Sequence, residues 1–280
     1  MTAVEGFWRR ALRHRSFAIG ALLTGLLVAA ALLSLVWAPY PPAEIDIPNK
    51  LAPPSAAHWL GTDSLGRDIA SQILVGSQNS IVVGVVAVSI GLGFGVALGL
   101  WASARRGWVE ELVMRFADFA FAFPALLTAI MLTAIYGPGL LMSIVAIGLF
   151  NVPVFARLTR GAANAVWTRE YVLAARATGV PPLRMLVKHI IPATIPPLLV
   201  IATVEVGLVI IAEASLSFLG LGVPAGQPSW GQMVAIGRDN LNTAWWMATM
   251  PGAALSLVVL SIGLFGDQVR DELDPRARKR

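Results

Sequence analysis

The stretch REYVLAARATGVPPLRMLVKHIIP, residues 169–192, lies between two strongly apolar runs and decides how the rest of the chain is interpreted. It carries too many charges to cross a bilayer, and its apolar residues recur too regularly for an unstructured loop. Its first half predicts a short helix with a stripe of mostly small side chains at helical spacing: Tyr171, Ala174, Ala175 and Thr178. Small side chains of this kind let another protein backbone approach closely.

The second half of this stretch predicts another short helix, joined to the first by a bend. Gly179 is expected to end the first helix, and Pro181-Pro182 can open the second. Arg184 and Lys188 then lie on one face, and Pro192 is expected to break the chain before the next apolar run. The other face carries an apolar stripe: Leu183, Leu186, Val187 and Ile190. The residues alone leave two uses open, because such an elbow fits a groove in a partner protein or lies on lipid headgroups.

The composition is that of an integral membrane protein, with 56% hydrophobic and 13% charged residues among 280. Soluble domains average about 25% charged residues, and the mean hydropathy here is +0.72. An isoelectric point near 10.2 would suggest nucleic-acid binding in a soluble protein. Here the basic residues cluster between apolar runs, so membrane orientation explains them and no nucleic-acid partner is expected. The absence of cysteine excludes disulfides, thiol chemistry and cysteine metal sites.

Crossing a hydrocarbon core of about 30 Å takes about 20 apolar residues in a helix. Six runs are candidate spans: Phe17–Val36, Ile81–Trp101, Ala117–Tyr136, Leu140–Phe155, Ile195–Ala214 and Ala248–Phe265. The first follows an arginine-rich start, as a signal peptide does, but its apolar core exceeds the usual length of about 7–15 residues. We therefore predict that it is a retained membrane anchor.

The distribution of basic residues predicts the orientation in the membrane. Four precede the first span, three follow the second, six follow the fourth and five lie in the tail: Arg9, Arg10, Arg13, Arg15; Arg105, Arg106, Arg115; Arg157, Arg160, Arg169, Arg176, Arg184, Lys188; Arg270, Arg276, Arg278, Lys279, Arg280. The alternate loops hold only Lys50, Arg67 and Arg238. The positive-inside rule then puts both termini and the elbow in the cytoplasm.

Part of the elbow, AARATGVPPLRMLVKHIIP, resembles the EAA loop of ABC-importer permeases. Four positions match the spacing of that loop: Ala174, Ala175, Gly179 and Pro192. Leu173 stands where the family has Glu, and His189 before Ile-Ile-Pro is similar to the peptide-transport branch. The resemblance implies that the elbow is a coupling helix seated in a groove of a cytoplasmic ATPase. The implied coupling residues are Tyr171, Ala174, Ala175, Arg176, Gly179, Arg184 and Pro192.

GTDSLGRD, residues 61–68, lies in the predicted outer loop between the first two spans. Its glycines and alternating Asp and Arg predict a tight, internally paired turn, which we prefer to a ligand contact. The stretch also resembles the signature of the second permease subunit in dipeptide, oligopeptide and nickel importers. The motif residues are Gly61, Thr62, Asp63, Gly66, Arg67 and Asp68.

EASLSFLGLGVPAGQPSWGQM, residues 213–233, is too rich in Gly and Pro for a continuous helix. We predict an outer re-entrant segment over about 215–243, with a short helix that dips into the outer leaflet or roofs the channel. It matches the same peptide and nickel branch, as does the tail FGDQVRDELDPRARKR, residues 265–280. Without that resemblance, the tail residues predict only local ion pairs on a solvated helix.

Three acidic residues fall in or beside the spans, where an unpaired charge is costly. Asp118 is expected to pair with Arg115, and Glu205, at mid-span, is expected to line a pore or to make an interhelical contact. Glu213 is either solvated or part of an outer gate. The candidate pore or gate residues are Glu205, Glu213, Ser217, Phe218 and Trp230. Gly91, Gly95 and Gly99 form a ladder that predicts close helix packing.

No catalytic constellation is present, so the chain is not predicted to be an enzyme. The three histidines do not pair with Ser, Asp or each other at a membrane-buried spacing, and no metal site is expected. Gly-x-Ser-x-Gly and phosphate-binding Gly-x-x-x-x-Gly-Lys loops are absent, so any ATP must be hydrolysed by another subunit. A self-sufficient secondary transporter and a membrane scaffold remain the alternatives from other classes.

These observations predict an all-α integral membrane protein with six transmembrane helices, and the resemblance implies a methionine-importer-like permease core. Residues 1–75 form the tail, the first helix and the outer loop, and residues 76–280 form a five-helix core with the coupling loop at about 165–192. The resemblance implies an inner-membrane, channel-forming subunit of an ATP-driven importer for di- or oligopeptides, with nickel, glutathione or opine-like compounds as alternative cargo. Its implied partners are a homologous second permease, two ATP-binding subunits that use ATP and Mg, an extracytoplasmic binding protein and membrane lipid. No cofactor is expected on this chain.

Overall fold

Helices form nearly all the regular structure of this chain. The computed structural model describes residues 15–224 and 226–273. Within them lie ten α-helices: α1 Arg15–Leu33, α2 Ile69–Arg105, α3 Gly107–Ala122, α4 Ala125–Tyr136, α5 Leu140–Trp167, α6 Glu170–Ala177, α7 Pro182–Met185, α8 Ile191–Phe218, α9 Trp230–Arg238 and α10 Trp246–Leu273. The arginines at positions 9–13 and the tail basic residues from position 276 onward, on which part of the predicted orientation rests, lie outside the described residues.

Four continuous helices are long and apolar enough to cross a membrane: Ile69–Arg105, Leu140–Trp167, Pro182–Phe218 and Trp246–Gly266. A fifth crossing results if α3 and α4 form one broken span. The apolar part of α1, Phe17–Leu33, is shorter. The all-α class is confirmed for the described residues, whereas the number of six spans is not.

The predicted third span, Ala117–Tyr136, is not one helix. α3 and α4 meet at an angle of 82°, and Phe123 between them is extended, with φ −98° and ψ 130°. Phe123 precedes Pro124, whose ring disfavours the helical conformation of the residue before it. The break is therefore set by a single proline, which the apolar pattern of the run concealed.

The glycine ladder of α2 packs against α5, as predicted. A Cβ atom on Gly91 would lie 2.4 Å from Cβ of Asn151, and one on Gly95 would lie 2.6 Å from Cβ of Phe155. Gly99 likewise has no room, since the carbonyl oxygen of Ala156 would be 2.5 Å away. These contacts bring two backbones together and make the α2–α5 pair the centre of the bundle.

Two ends of the bundle carry the segments singled out by the sequence. Residues 61–68, here called the GTD loop, precede the start of α2, and residues 169–192, the elbow, pack near its other end at Leu100. We call these ends the loop end and the elbow end. The predicted interruption of the helix after Glu213 is confirmed: α8 ends at Phe218, and α9 begins only at Trp230 and packs against α8 and α10.

Candidate functional site

The bend of the elbow is a helix C-cap built around one glycine. Gly179 has φ +80°, a left-handed conformation that favours glycine. Its N–H donates to the carbonyl of Arg176, and the N–H of Val180 donates to that of Ala175, both at 3.1 Å. This pair of bonds is a Schellman motif, which satisfies the last carbonyls of α6 and turns the chain sharply. Gly179 thus ends the first helix, as predicted.

The two faces of the elbow differ in burial. Val172, Met185 and Ile190 are buried in a cluster with Leu100 of α2 and Val166 of α5. The opposite face is exposed to solvent within this chain and includes five of the seven predicted coupling residues: Tyr171, Ala174, Arg176, Gly179 and Arg184. The elbow is therefore fastened to the bundle on one side and open on the other.

The remaining two predicted coupling residues lie at the edges of this open face. Ala175 is half-buried against the cluster, and Pro192 is exposed. The predicted apolar stripe is divided: Leu183 and Val187 are exposed, whereas Leu186 and Ile190 pack inward. The elbow consequently presents both apolar and basic side chains to its surroundings.

The expected break at Pro192 is wrong. Residues 186–190 form a π-helical turn that runs directly into α8, so Pro182–Phe218 is one continuous helix. A proline in a helix removes one N–H donor and its ring clashes with the carbonyl four residues earlier. The widened turn, in which Ile191 N–H bonds to Leu186, relieves that clash. The second half of the elbow therefore continues without a break into the span that follows it.

The GTD loop satisfies its own polar groups. The Asp63 carboxylate accepts hydrogen bonds from the backbone N–H of Leu65 and of Arg67, from Arg67 Nε at 2.7 Å and from Gln72 Nε2 at 3.1 Å. Asp68 caps α2 by accepting from the N–H and the hydroxyl of Ser71, both at 2.8 Å. Asp63 is 6% and Asp68 3% exposed, so both carboxylates are used inside the protein.

Close backbone approach explains the glycines of this loop. A Cβ atom on Gly66 would lie 1.8 Å from the carbonyl oxygen of Asp46, and one on Gly61 would lie 2.6 Å from Nε1 of Trp246. That indole nitrogen donates to the carbonyl of Thr62 at 3.1 Å, which ties the loop to the start of α10. These contacts agree with the predicted internally paired turn.

A cleft between α4, α5 and α8 contains Glu205. It has a volume of about 390 Å³, and its walls are apolar apart from Asn151, Glu205 and Ser215. Glu205 is half-buried, and no described side chain donates a hydrogen bond or forms an ion pair with its carboxylate. The cleft thus exposes an unpaired acid in the middle of a membrane helix.

Glu213, by contrast, lies in a closed polar cluster. It is 1% exposed and accepts hydrogen bonds from Ser217 Oγ at 2.6 Å and Ser229 Oγ at 3.2 Å. Ser217 Oγ also accepts from the N–H of Val223 at 3.2 Å. The solvated alternative for Glu213 is therefore wrong within this chain, because the carboxylate is buried and holds Ser229, just before α9, against α8.

The other two candidate gate residues flank this cluster. Trp230 is 2% exposed and donates from Nε1 to the carbonyl of Ile73 in α2 at 3.0 Å. Phe218 lies at the end of α8, and the Arg238 guanidinium is 5.5 Å from the centre of its ring. Trp230 thus connects the start of α9 to α2, and Phe218 connects the end of α8 to Arg238 of α9. Of the five candidates, Glu205 alone lines the cleft described above.

Two ion pairs fasten α3 to α5 near the elbow end. Glu110 accepts from Arg160 Nε at 2.6 Å and from Asn164 Nδ2 at 3.2 Å, and Asp118 pairs with Arg157. Glu110 precedes the apolar residues of the predicted third span. Desolvation raises the pKa of Glu110, but its hydrogen bonds and the nearby positive charges lower it by more, so the pKa lies below its ordinary value of 4.5.

The expected pair between Asp118 and Arg115 is wrong. Arg115 instead donates to Glu111, one turn earlier, at 2.6 Å. An acid four residues before a base is a favourable helical arrangement, and it leaves Asp118 free to reach Arg157 on α5. The sequence spacing alone did not reveal this cross-helix alternative.

The chain is similar to known transport proteins over nearly its whole length. It is 40% identical to the glutathione transport system permease protein GsiD of Pectobacterium atrosepticum, over 97% of this chain and 91% of that protein. It is also 40% identical to the di/tripeptide transport system permease protein DppC of Pseudomonas aeruginosa, over 98% and 93%. Residues 91–279 match the binding-protein-dependent transport system inner membrane component family, and residues 4–54 match the N-terminal transmembrane domain of oligopeptide transport permease C. The chain belongs to the ABC-importer permeases of the dipeptide, oligopeptide and nickel transport family.

The fold of this permease agrees with a solved relative. A structure of inward-facing conformations of the MetNI methionine ABC transporter matches with a TM-score of 0.59 and 19% identity, over 72% of this chain and 96% of that one. The predicted methionine-importer-like core is thereby confirmed at the level of fold. As a member of this family, the permease is an inner-membrane channel subunit and not an enzyme.

Sequence reasoning missed two polar contacts and one polar residue of the cleft. His58 Nδ1 lies 3.1 Å from Asp68 Oδ1, Ser229 Oγ donates to Glu213, and Asn151 lines the same cleft as Glu205. Their partners lie on other elements or far along the chain, so local spacing carried no signal for them. Asn151 was nevertheless visible as an amide inside an apolar run, and buried amides in spans mark polar contacts.

Proposed function

We propose that this permease carries short peptides across the inner membrane, with di- and tripeptides as the main cargo class. The chain has about 40% sequence identity to both a di/tripeptide permease and a glutathione permease, which supports this cargo class. Glutathione, itself a tripeptide, is the second candidate because one similar protein is named as a glutathione transport system permease. Nickel and opine-like compounds are the remaining alternatives, and nickel is tested in the same assay.

The observation that carries the coupling role is the open face of the elbow. Val172 and Met185 anchor the elbow, while Tyr171, Ala174 and Arg184 remain exposed. A rigid, bundle-fixed segment with small and basic exposed residues suits a groove in an ATPase that binds ATP and Mg. We infer that one such ATPase lies beneath the elbow and a second beneath the equivalent segment of a homologous permease.

We further propose that α1 completes a sixth crossing and that both termini lie in the cytoplasm. α1 has 19 residues, which span about 28 Å at 1.5 Å per residue. The arginines that precede it and the basic residues around the elbow support this orientation. An extracytoplasmic binding protein would then deliver cargo at the loop end.

The proposed mechanism follows from the continuity of α7, the π-helical turn and α8. Closure of the ATPases on ATP would displace the elbow, and because Pro182–Phe218 is one helix, the displacement would tilt α8 as a rigid body. α8 lines the Glu205 cleft, so its tilt would change access to that cleft. Opening would thus alternate between the two sides of the membrane.

The test is uptake by the complete transporter reconstituted in proteoliposomes with its second permease, two ATPases and binding protein. Radiolabelled di-alanine, tri-alanine, glutathione and Ni²⁺ are offered separately with ATP. We expect ATP-dependent uptake of the peptides, with glutathione as the second substrate. Uptake of Ni²⁺ together with no uptake of any offered peptide would overturn the proposal. Peptide uptake that needs no ATP would also overturn it.

A further inference from the structure

Glu205 lies at the middle of the membrane-spanning part of α8. It is the fifteenth of the 28 residues from Ile191 to Phe218, and no helix end is close enough to let its side chain reach the interface. A carboxylate at this depth that faced lipid would carry a large penalty, so it must face water or protein. The cleft between α4, α5 and α8 provides that surrounding.

No cation of the described chain neutralises this carboxylate. α4 and α8 contain no Lys, Arg or His, and the two arginines of α5, Arg157 and Arg160, are bonded to Asp118 and Glu110. Buried or half-buried acids in proteins are normally paired. The charge of Glu205 is therefore available to a group that is not part of this chain.

The polar groups of the cleft offer more hydrogen-bond acceptors than donors. Asn151 Nδ2 donates one N–H to the carbonyl of Ile147 at 3.0 Å, which leaves the second N–H and the Oδ1 atom available. Ser215 Oγ donates to the carbonyl of Ile211 at 2.8 Å, which leaves its lone pairs. With the Glu205 carboxylate they offer acceptors and a negative charge, whereas the rest of the lining is apolar. A primary ammonium has three donors and no acceptor, so it matches this set, and a carboxylate does not.

We propose that Glu205, together with Asn151 of the same cleft, binds the primary ammonium group of a peptide as it crosses the membrane. The site deepens the proposed function and rests on it: di- and tripeptides carry an α-ammonium group, and glutathione carries one on its γ-glutamyl residue. The apolar walls, which include Leu126 and Phe150, would contact uncharged parts of the cargo. The cleft would thus orient each peptide by its amino group.

The test compares Glu205→Gln, which removes the charge at constant shape, with Glu205→Asp, which keeps it. The complete transporter is reconstituted, its binding protein is saturated with di-alanine, and maximal uptake rate is measured beside peptide-stimulated ATP hydrolysis. Loss of a charge-assisted hydrogen bond predicts a fall in maximal uptake of about tenfold for Glu205→Gln. ATP hydrolysis should stay within about twofold of wild type, and Glu205→Asp should retain most uptake. Glu111→Gln, on the exposed face of α3, is the matched control and should transport normally.

Two results would overturn the site. Wild-type maximal uptake by Glu205→Gln would mean that the carboxylate does not contact cargo. If Glu205→Gln loses uptake and the second permease no longer co-purifies with this chain, Glu205 is a contact between the two permease subunits. Failure of the wild-type transporter to import any peptide is a separate outcome, because it would refute the proposed function rather than the role of this residue.

Discussion

The GTD loop and the elbow are built from similar residues but use them in opposite ways. Both contain glycine with positive φ, Gly61 and Gly66 in the loop and Gly179 in the elbow, and both contain charged side chains. In the loop a Cβ atom would collide with backbone or indole atoms, whereas nothing lies within 4 Å of a Cβ on Gly179. The loop is closed by its own contacts, and the elbow is left open to its surroundings.

This difference teaches where stability and coupling are located in the permease. A segment whose buried donors and acceptors are paired internally contributes to the rigidity of the fold. A segment fixed on one face and exposed on the other is suited to transmit force to or from a partner. Substitutions in the loop should therefore reduce the amount of folded protein, and substitutions in the elbow should reduce coupling without unfolding it.

The largest effect is expected for Asp63→Ala in the GTD loop. The change removes an acceptor of four hydrogen bonds and leaves the Arg67 guanidinium, whose side chain is 13% exposed, without its partner. Breaking a buried pair from one side costs about 3–5 kcal/mol. We expect a large fall in the thermal midpoint and yield of the purified permease. Asp239→Ala is the control, because the exposed ion pair of Asp239 with Arg238 is worth at most about 1 kcal/mol. If both variants lose equal thermal midpoint and yield, the distinction between closed and open polar sites is wrong.

The second effect is expected for Gly179→Val in the elbow. A β-branched residue at φ +80° is strained, but no atom blocks its side chain, so the bend should shift while the bundle remains folded. A loss of about 1.4 kcal/mol in the free energy that couples the ATPase to the permease corresponds to a tenfold change, so peptide uptake should fall about tenfold or more. Membrane insertion should be near normal, and ATP hydrolysis should continue. Gly179→Asn, which tolerates this conformation, should restore much of the uptake.

Gly107→Val is the matched control for the elbow. Gly107 has φ +59° and equally open surroundings, but it is the first residue of α3, at the junction with α2. Normal uptake by this variant would assign the effect to the elbow rather than to strain in any exposed turn. Normal transport by Gly179→Val itself would contradict the coupling role.

The smallest effect concerns Glu110, which is fastened to Arg160 beside the elbow. Because its folded pKa is lowered, the carboxylate contributes stability that is present above its unfolded pKa of about 4.5 and is lost as pH falls through the folded value. The thermal midpoint of Glu110→Gln should be slightly below wild type at pH 7, and the difference should shrink below about pH 4.5. If the difference in thermal midpoint between wild type and Glu110→Gln instead grows as the pH falls, the assigned ion pair between Glu110 and Arg160 is contradicted.

The sequence predicted those parts of the permease that depend on local spacing. Gly179 and the elbow, the internally paired turn at residues 61–68 and the packing of Gly91 follow from neighbours in sequence, and the structure agrees with them. The break at Phe123 and the continuity through Pro192 were not predicted, because apolar pattern does not show how a proline will be accommodated. Arg157, the partner of Asp118, and Ser229, the second partner of Glu213, lie outside the helices of those acids, so tertiary packing decides these two contacts.

The most direct measurement of the central claim is site-specific crosslinking in the assembled transporter. The chain has no cysteine, so Ala174→Cys on the open face of the elbow and Ala56→Cys, an exposed position near the GTD loop, each introduce one reactive site. We predict that Ala174→Cys crosslinks to an ATPase subunit, with a yield that changes when ATP binds, and that Ala56→Cys does not. Crosslinking of Ala174→Cys to lipid alone, with no ATPase adduct in either nucleotide state, would contradict the account.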